Sequence, residues 1–314
     1  MSGAAAFAQP PVAQPPVAQP LVGGIATYVF TDDDFAVIAR CAQADFGLHL
    51  TMAKKDLVYS RLAKRIRHLG LPDFDAYCRL IESPDAADER VQMLSALTTN
   101  VTHFFREGHH FQTLREKVLP PLIAAARSGR RLRLWSAGCS AGQEPYSLAF
   151  TLLDLCPDAA RFDIRILATD VDPAILARAR EGIYDNDEMK SLPDPVRARH
   201  IAASGPGHFA VTEKARALIS FGELNLMQDW PMRGPFDVIF CRNVAIYFNK
   251  DAQLRLWHRL TDLLPVGGCL CIGHSERVSG PAAPMLETVG VTTYRKRGAG
   301  HADRSMMNRE GTPR

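Results

Sequence analysis

The chain has no C-x-x-C pair, although it carries seven cysteines among 314 residues. Cys41, Cys78, Cys139, Cys156, Cys241, Cys269 and Cys271 mostly sit in apolar runs. They read as buried free thiols in a reducing compartment, and not as disulfides or zinc ligands. No apolar run approaches the roughly 20 residues a membrane-spanning helix needs. The N-terminus lacks a basic region followed by an apolar core, the mark of a secretory signal. The cytoplasm is therefore the expected compartment. Charge of one sign is scarce too: the net charge is +3, too small for bulk nucleic-acid binding. Electrostatic recognition has to rest on local clusters. The rest of the composition, 46% hydrophobic and 23% charged, is that of a globular protein. The length allows one large domain or two modest ones.

Residues 1–27 hold the repeat AQPPVAQPPVAQP, which cannot form a packed core and favours extended polyproline conformations. They are expected to be a disordered tail, as are the polar residues 298–314. Residues 28–112 show helical periodicity without a clear strand. Thr31 followed by Asp34 marks a helix start; Leu50 to Leu69, ended by Gly70, Phe74 to Ile81 and Ala87 to Leu97 follow. Residues 113–129 read as a linker helix. From residue 130 to 297 the pattern alternates between strands and helices, which implies a mainly parallel sheet covered on both faces. The expected strands are Leu132–Ala137, Ile164–Thr169, Val238–Cys241, Cys269–Gly273 and Val291–Arg295. A stretch rich in proline and glycine, about 183–222, interrupts this order and ends in an apparent strand, Ala217–Phe221; it reads as an inserted β-subdomain.

The most informative segment is LWSAGCSAGQEPYSL, Leu134 to Leu148. A buried strand runs into the turn Gly138-Cys-Ser-Ala-Gly142, and a helix starts at Pro145, since proline suits the first helical position. Glycines let a backbone approach a ligand closely. The turn lacks the Lys-Ser or Lys-Thr of a P-loop and the G-x-G-x-x-G of a dinucleotide site. Glu144 would repel a pyrophosphate but could bind an ammonium or a hydroxyl. A ligand with an amino acid end and a ribose is favoured, and S-adenosylmethionine has both. Three further strand ends carry polar residues: Asp170 after Ile164–Thr169, Glu223 to Leu226, and Arg242-Asn243 followed by Ile246-Tyr247-Phe248. An acid such as Asp170, closing the second strand, can accept both ribose hydroxyls.

WSAGCSAGQEPYS, LATDVD, FDVIFCRNVAIYF, GHSE and TTNVTHFFRE together resemble the chemotaxis receptor protein-glutamate O-methyltransferases, the CheR family. The resemblance spans about residues 28–297. It implies an α/β fold: a Rossmann-like class I methyltransferase domain with a small inserted β-subdomain, preceded by an all-helical N-terminal domain. It further implies S-adenosyl-L-methionine as donor, S-adenosyl-L-homocysteine as product, and glutamates on the cytoplasmic coiled-coil domains of chemoreceptors as acceptors. Carried onto this chain, Asn100, Thr102 and Arg106 close over the donor. Glu144 is the acid of the glycine turn, Asp170 the ribose acid, Asn225-Leu226 the adenine side, and Arg242-Asn243 the end of the fourth strand. Where the family usually has an acid before Glu144, this chain has Gln143.

In chemical terms, Glu144 would take the donor's ammonium and Arg106 its carboxylate. A glutamate acceptor, with a pKa of about 4.3, is already a nucleophile at neutral pH, so neither a general base nor a metal is required. Alignment would do the catalysis, with Arg106 and the Tyr247 hydroxyl as positioning groups. His103, His109 and His110 read as packing or surface histidines. Between Lys54 and His68 six basic residues face one acid, a local charge of +5. Lys54, Arg61, Lys64, Arg65 and His68 gather beside the stripe Val58, Leu62, Ile66 and Leu69. That basic face suits an acidic coiled-coil receptor approached by a monomeric enzyme, without nucleic acid or membrane insertion. Two other functions are open at this point: a nucleic-acid methyltransferase, and a regulator that binds S-adenosylmethionine without transferring its methyl group. The compact hairpin around Gly205-Pro206-Gly207 argues against tethering of a receptor tail.

Overall fold

A computed structural model describes residues 28–98 and 101–298, together with the backbone of a short antiparallel pair, Leu21–Val22 with Ile25–Ala26. The proline-rich tail and all but one residue of 298–314 lie outside the described residues, as does Asn100.

Four helices form the N-terminal unit: α1 (Asp32–Phe46), α2 (Lys55–His68), α3 (Phe74–Glu82) and α4 (Ala87–Leu97). The start of α1 is set by a capping box in which Thr31 Oγ1 accepts from the Asp34 N–H and Asp34 accepts from the Thr31 N–H. Its end is set by Gly47 at φ 68. The long helix expected over Leu50 to Leu69 is divided: a 3₁₀ turn, Met52–Lys54, precedes α2. Residues four apart on α2, Val58, Leu62 and Ile66, are buried against Phe35, Ile38, Phe74, Tyr77 and Met93. This gives the unit a core of its own.

A connecting rod follows, made of α5 (His109–Thr113), a π turn (Leu114–Val118) and α6 (Leu119–Arg127). Then come β1 (Leu132–Ala137), α7 (Gln143–Leu155), β2 (Ile164–Asp170) and α8 (Pro173–Glu181). The inserted segment contains β3 (Ile183–Asp185), α9 (Asn186–Met189), α10 (Asp194–His200), β4 (Ile201–Ala203), β5 (His208–Val211) and α11 (Glu213–Arg216). The chain returns through β6 (Ile219–Glu223), β7 (Val238–Cys241), α12 (Lys250–Asp262), β8 (Cys269–Ile272) and a closing hairpin, β9 (Leu286–Gly290) and β10 (Thr293–Lys296).

The central sheet has seven strands in the order β9-β10-β8-β7-β1-β2-β6. The five from β8 to β6 are parallel, and the hairpin is antiparallel. β3, β5 and β4 make a separate antiparallel sheet. The apparent strand Ala217–Phe221 is thus not part of the inserted subdomain. Ile219–Glu223 pairs in parallel with β2, with Ile166 opposite Ile219 and Asp170 opposite Glu223. Its strand pattern is weak because only one sheet neighbour covers it and its residues are at most half-buried. The single strand expected at Val291–Arg295 is a hairpin, whose turn at Val291-Thr292 puts Thr292 at φ 45. The chain runs outward from β1 to β6 and then crosses back to β7 beside β1. Such a reversal opens a crevice at the carboxyl ends of the strands.

Candidate functional site

The crevice is a cavity of about 270 Å³. Nine of the ten residues singled out from sequence line it: Thr102, Arg106, Glu144, Asp170, Asn225, Leu226, Arg242, Asn243 and Tyr247. Asn100 is the tenth and lies outside the described residues. Sequence patterns did not foresee the roof. Phe46, Leu48, Leu94 and Thr98 reach the same cavity from the helical unit.

The glycine turn forms the floor. Gly138 sits at φ 80, and a Cβ there would lie 2.4 Å from Val244 Cγ2, so only glycine lets the β1 turn meet the loop after β7. Helix α7 begins at Gln143, two residues earlier than the proline suggests, with Gly142 at φ 96 as its cap. At the end of β2, Asp170 Oδ2 accepts from the Ser140 N–H at 2.8 Å, and Oδ1 from the Asp172 N–H at 3.2 Å. Burial pushes this carboxyl above its ordinary value, against the pull of those N–H groups. Each oxygen keeps lone-pair capacity for a hydroxyl.

Glu144 has a different partner from the one expected. Its Oε2 accepts from Arg242 Nη1 at 2.9 Å and its Oε1 from Ser136 Oγ at 2.7 Å. Burial raises its pKa while Arg242 and Ser136 lower it. Glu144 thus orients Arg242 and still lines the cavity, each of its oxygens keeping lone-pair capacity. The neighbouring Gln143 is turned away: it is buried, its Nε2 donates to Glu188 Oε1 at 3.0 Å, and it does not line the cavity. Arg242 is buried on a bed of Phe240 and Phe111, and its Nη2 lies 3.4 Å from Glu107 Oε2. Arg106 donates from Nη1 to the Val101 carbonyl at 2.9 Å. Among the described residues no carboxylate lies within ion-pair distance of it, which leaves this guanidinium facing the cavity.

Asn225 uses both ends of its amide inside the protein. Nδ2 donates to the Asp45 carbonyl at 2.7 Å, and Oδ1 accepts from the Met227 N–H at 2.9 Å. It fastens the helical unit to the end of β6, and its side chain lines the cavity without offering it a free amide. The loop after β7 is held by Glu276, a residue whose part was not legible in GHSE. Its carboxylate accepts from Gly273, Asn243, Val244 and Ile246 N–H groups at 2.6, 3.0, 3.0 and 3.3 Å. Asn243, at φ 59, depends on that support. Tyr247 follows, half-buried, with its carbonyl accepting from the His49 N–H at 2.8 Å.

Behind Arg242 stand Glu107, His109 and His110, with one ligating atom from each within 4.8 Å of the others. Burial, then the Arg242 charge, holds His110 down at about 3, so it is a neutral imidazole. Burial alone would raise Glu107; hydrogen bonds from His274 and the Arg242 charge outweigh it and hold the carboxyl at about 2. His110 is buried and His109 half-buried at the start of α5.

The basic face of α2 is thinner than its sequence suggests. Arg61 donates to the Leu97 and Thr98 carbonyls at 2.7 and 2.9 Å, closing the end of α4. Arg65 grips Glu89 through two nitrogens. Both arginines flank the buried stripe, which brings them against α4. Lys54, Lys64, Arg67 and His68 remain exposed.

A parallel sheet with a glycine turn after β1, an acid closing β2 and a helical roof defines the class. The fold is that of a class I methyltransferase preceded by an all-helical domain. Residues 33–98 match the model of the CheR methyltransferase all-alpha domain, and residues 100–295 that of the CheR methyltransferase SAM binding domain. The chain belongs to the CheR methyltransferase family. It is 52% identical to a probable chemotaxis protein methyltransferase of Rhizobium etli over 255 residues, 80% of this chain and 95% of that one. It is 40% identical to the chemotaxis protein methyltransferase of Escherichia coli, covering 79% and 86% of the two chains. To chemotaxis protein methyltransferase 2 of Pseudomonas aeruginosa it is 38% identical, covering 87% and 96%.

Proposed function

We propose that the chain transfers a methyl group from S-adenosylmethionine to glutamate side chains of chemoreceptors, giving glutamate methyl esters and S-adenosylhomocysteine. The convergence of nine motif residues on one roofed cavity carries this reading. The residues suit the donor. Asp170 has lone pairs open to the ribose hydroxyls, and Arg106 is a guanidinium open to the amino acid carboxylate. Leu48, Leu224, Leu226 and Phe248 give apolar walls for the adenine side. When bound, the donor supplies a methyl group on a positively charged sulfur.

The chain's own residues then orient and enclose. Glu144 and Glu107 fix Arg242, Glu276 fixes the loop that presents Asn243 and Tyr247, and the helical unit keeps water out. The acceptor carboxylate is ionised at neutral pH, at a pKa of about 4.3, so no side chain has to remove a proton. Alignment is the protein's contribution. Lys64, Arg67 and His68 give a positive approach for acidic receptor helices in the cytoplasm.

Radiolabelled donor incubated with receptor-rich membranes tests the reading. The label should enter receptors as an ester released by mild alkali. An alkali-stable product would sink the carboxylate chemistry. Label in DNA or RNA would point to a nucleic-acid enzyme, and donor binding without any transfer to a regulator.

A further inference from the structure

We propose that Glu107, His109 and His110 form a binding site for a zinc-type divalent metal ion, separate from the donor cavity. The three residues lie where the chain enters α5. Glu107 is held at φ 55, in the left-handed region that non-glycine residues rarely occupy. Glu107 Oε2 and His110 Nδ1 are 3.7 Å apart. Two ligands of a tetrahedral zinc with bonds near 2.0 Å are separated by about 3.3 Å. Small side-chain rotations close the set.

The atoms that would ligate are ones left without a hydrogen bond, although Glu107 Oε2 lies at ion-pair distance from Arg242. Glu107 Oε2, His109 Nε2 and His110 Nδ1 are all buried and accept or donate no hydrogen bond. Folded proteins leave few such atoms, and each calls for a reason. Here all three belong to residues that can each bring one ligating atom within 4.8 Å of the others. The remaining polar atoms of the cluster are tied down. Glu107 Oε1 accepts from the His274 N–H at 3.2 Å and lies 2.9 Å from His274 Nδ1. His110 Nε2 lies 2.9 Å from Thr292 Oγ1. With Nε2–H donated to Thr292, Nδ1 turns a lone pair into the cluster. Outer bonds of this kind are what orient metal-ligating histidines.

Two imidazoles and one carboxylate match zinc, and leave a fourth position for water. Magnesium and calcium prefer a shell of oxygens. The Arg242 guanidinium is the positive group that faces the cluster, at 3.4 Å from Glu107 Oε2. Glu144 also holds Arg242, so the guanidinium keeps a counter-charge when Glu107 turns to a metal. Arg242 lines the donor cavity, so metal and donor binding should be linked reciprocally.

The full-length, tag-free and metal-free chain, titrated with Zn²⁺ against a chromophoric chelator, should take up one equivalent. Glu107→Gln and His109→Ala should each weaken that uptake at least about tenfold. His109 is only half-buried, so its variant keeps the fold if Glu107→Gln does not. Co²⁺ in place of Zn²⁺ should show d–d absorption without a thiolate charge-transfer band, which separates this site from the seven cysteines. Uptake short of stoichiometric, uptake unchanged in His109→Ala, or a thiolate band would overturn the site.

Discussion

Glu276 shows how much one side chain can decide. Four backbone N–H groups converge on its carboxylate, and the loop they shape carries Asn243 and Tyr247 into the cavity. Glu276→Ala would leave these donors short of an acceptor, at a cost on the order of 3 kcal/mol. A lower unfolding midpoint and slower methyl transfer are expected; Glu276→Gln keeps an amide oxygen and should recover part of both. Equal losses in the two variants would mean that packing, and not hydrogen bonding, sets the loop. Asp170→Ala should weaken donor and product together by about 2–4 kcal/mol, since a carboxylate accepts more than one charge-assisted bond there. Calorimetry with both ligands checks this, and unchanged affinities would remove Asp170 from the site. At this scale strand-end polar groups and glycines are local signals and pointed to Glu144, Asp170, Asn225, Arg242 and Asn243, whereas Thr102 and Arg106 came only through the family resemblance. What each polar group binds was not legible. Glu144 pairs with Arg242, 98 residues away, and no local pattern encodes that contact.

Among the elements, α2 and α7 repay separate tests. The periodicity of α2 identified its buried stripe, since positions four apart share a face. It could not say which neighbour that face meets. Arg61 and Arg65, placed among solvent-facing charges by spacing alone, bind α4 instead. Reversing Arg61 should therefore lower the unfolding midpoint, by an amount equivalent to about 2 kcal/mol. The reversal Lys64→Glu with Arg67→Glu should leave stability alone, slow methylation of receptor membranes and reduce its salt dependence. Donor affinity should not change; unaffected methylation rates would show a merely solvated face. On α7, Asp154 pins the subdomain by accepting from Arg115, Arg199 and His200. Burial would raise its carboxyl, but those bonds outweigh it and hold it below the ordinary 3.8. A depressed carboxylate gives its stability above the unfolded value and loses it as pH falls through the folded one. The stability gap between the wild type and Asp154→Asn, about 2 kcal/mol, should be flat above roughly pH 5. It should shrink below about pH 4 in denaturant titrations. The subdomain's outline was harder to read than its presence, because β6 is a short, half-buried edge strand that resembles the small sheet beside it.

At the scale of the molecule, the change from helical to alternating pattern near residue 130 was visible in sequence, but the way the two units meet was not. They meet across the cavity. Asn225 reaches Asp45, the His49 N–H reaches the Tyr247 carbonyl, and Leu48 bridges to Phe248. Gly47 turns α1 against Met227, where a Cβ would come within 2.7 Å of its sulfur. A ligand in the cavity therefore touches both units, and its binding energy has to stabilise both. With S-adenosylhomocysteine at 100 times its Kd, the free energy of unfolding should rise by about 2.7 kcal/mol. In hydrogen exchange, the amides of Leu48, His49 and Thr98 should slow along with those of the glycine turn. Asn225→Ala cuts one fastening and trims one residue of the cavity's lining, while the glycine turn is left intact. It should weaken product affinity and erase the added protection at His49, while the turn at Gly138 to Gly142 stays protected. Protection confined to the strand ends in the wild type would show that the roof opens freely over a bound ligand, and the helical unit would then serve the acceptor alone.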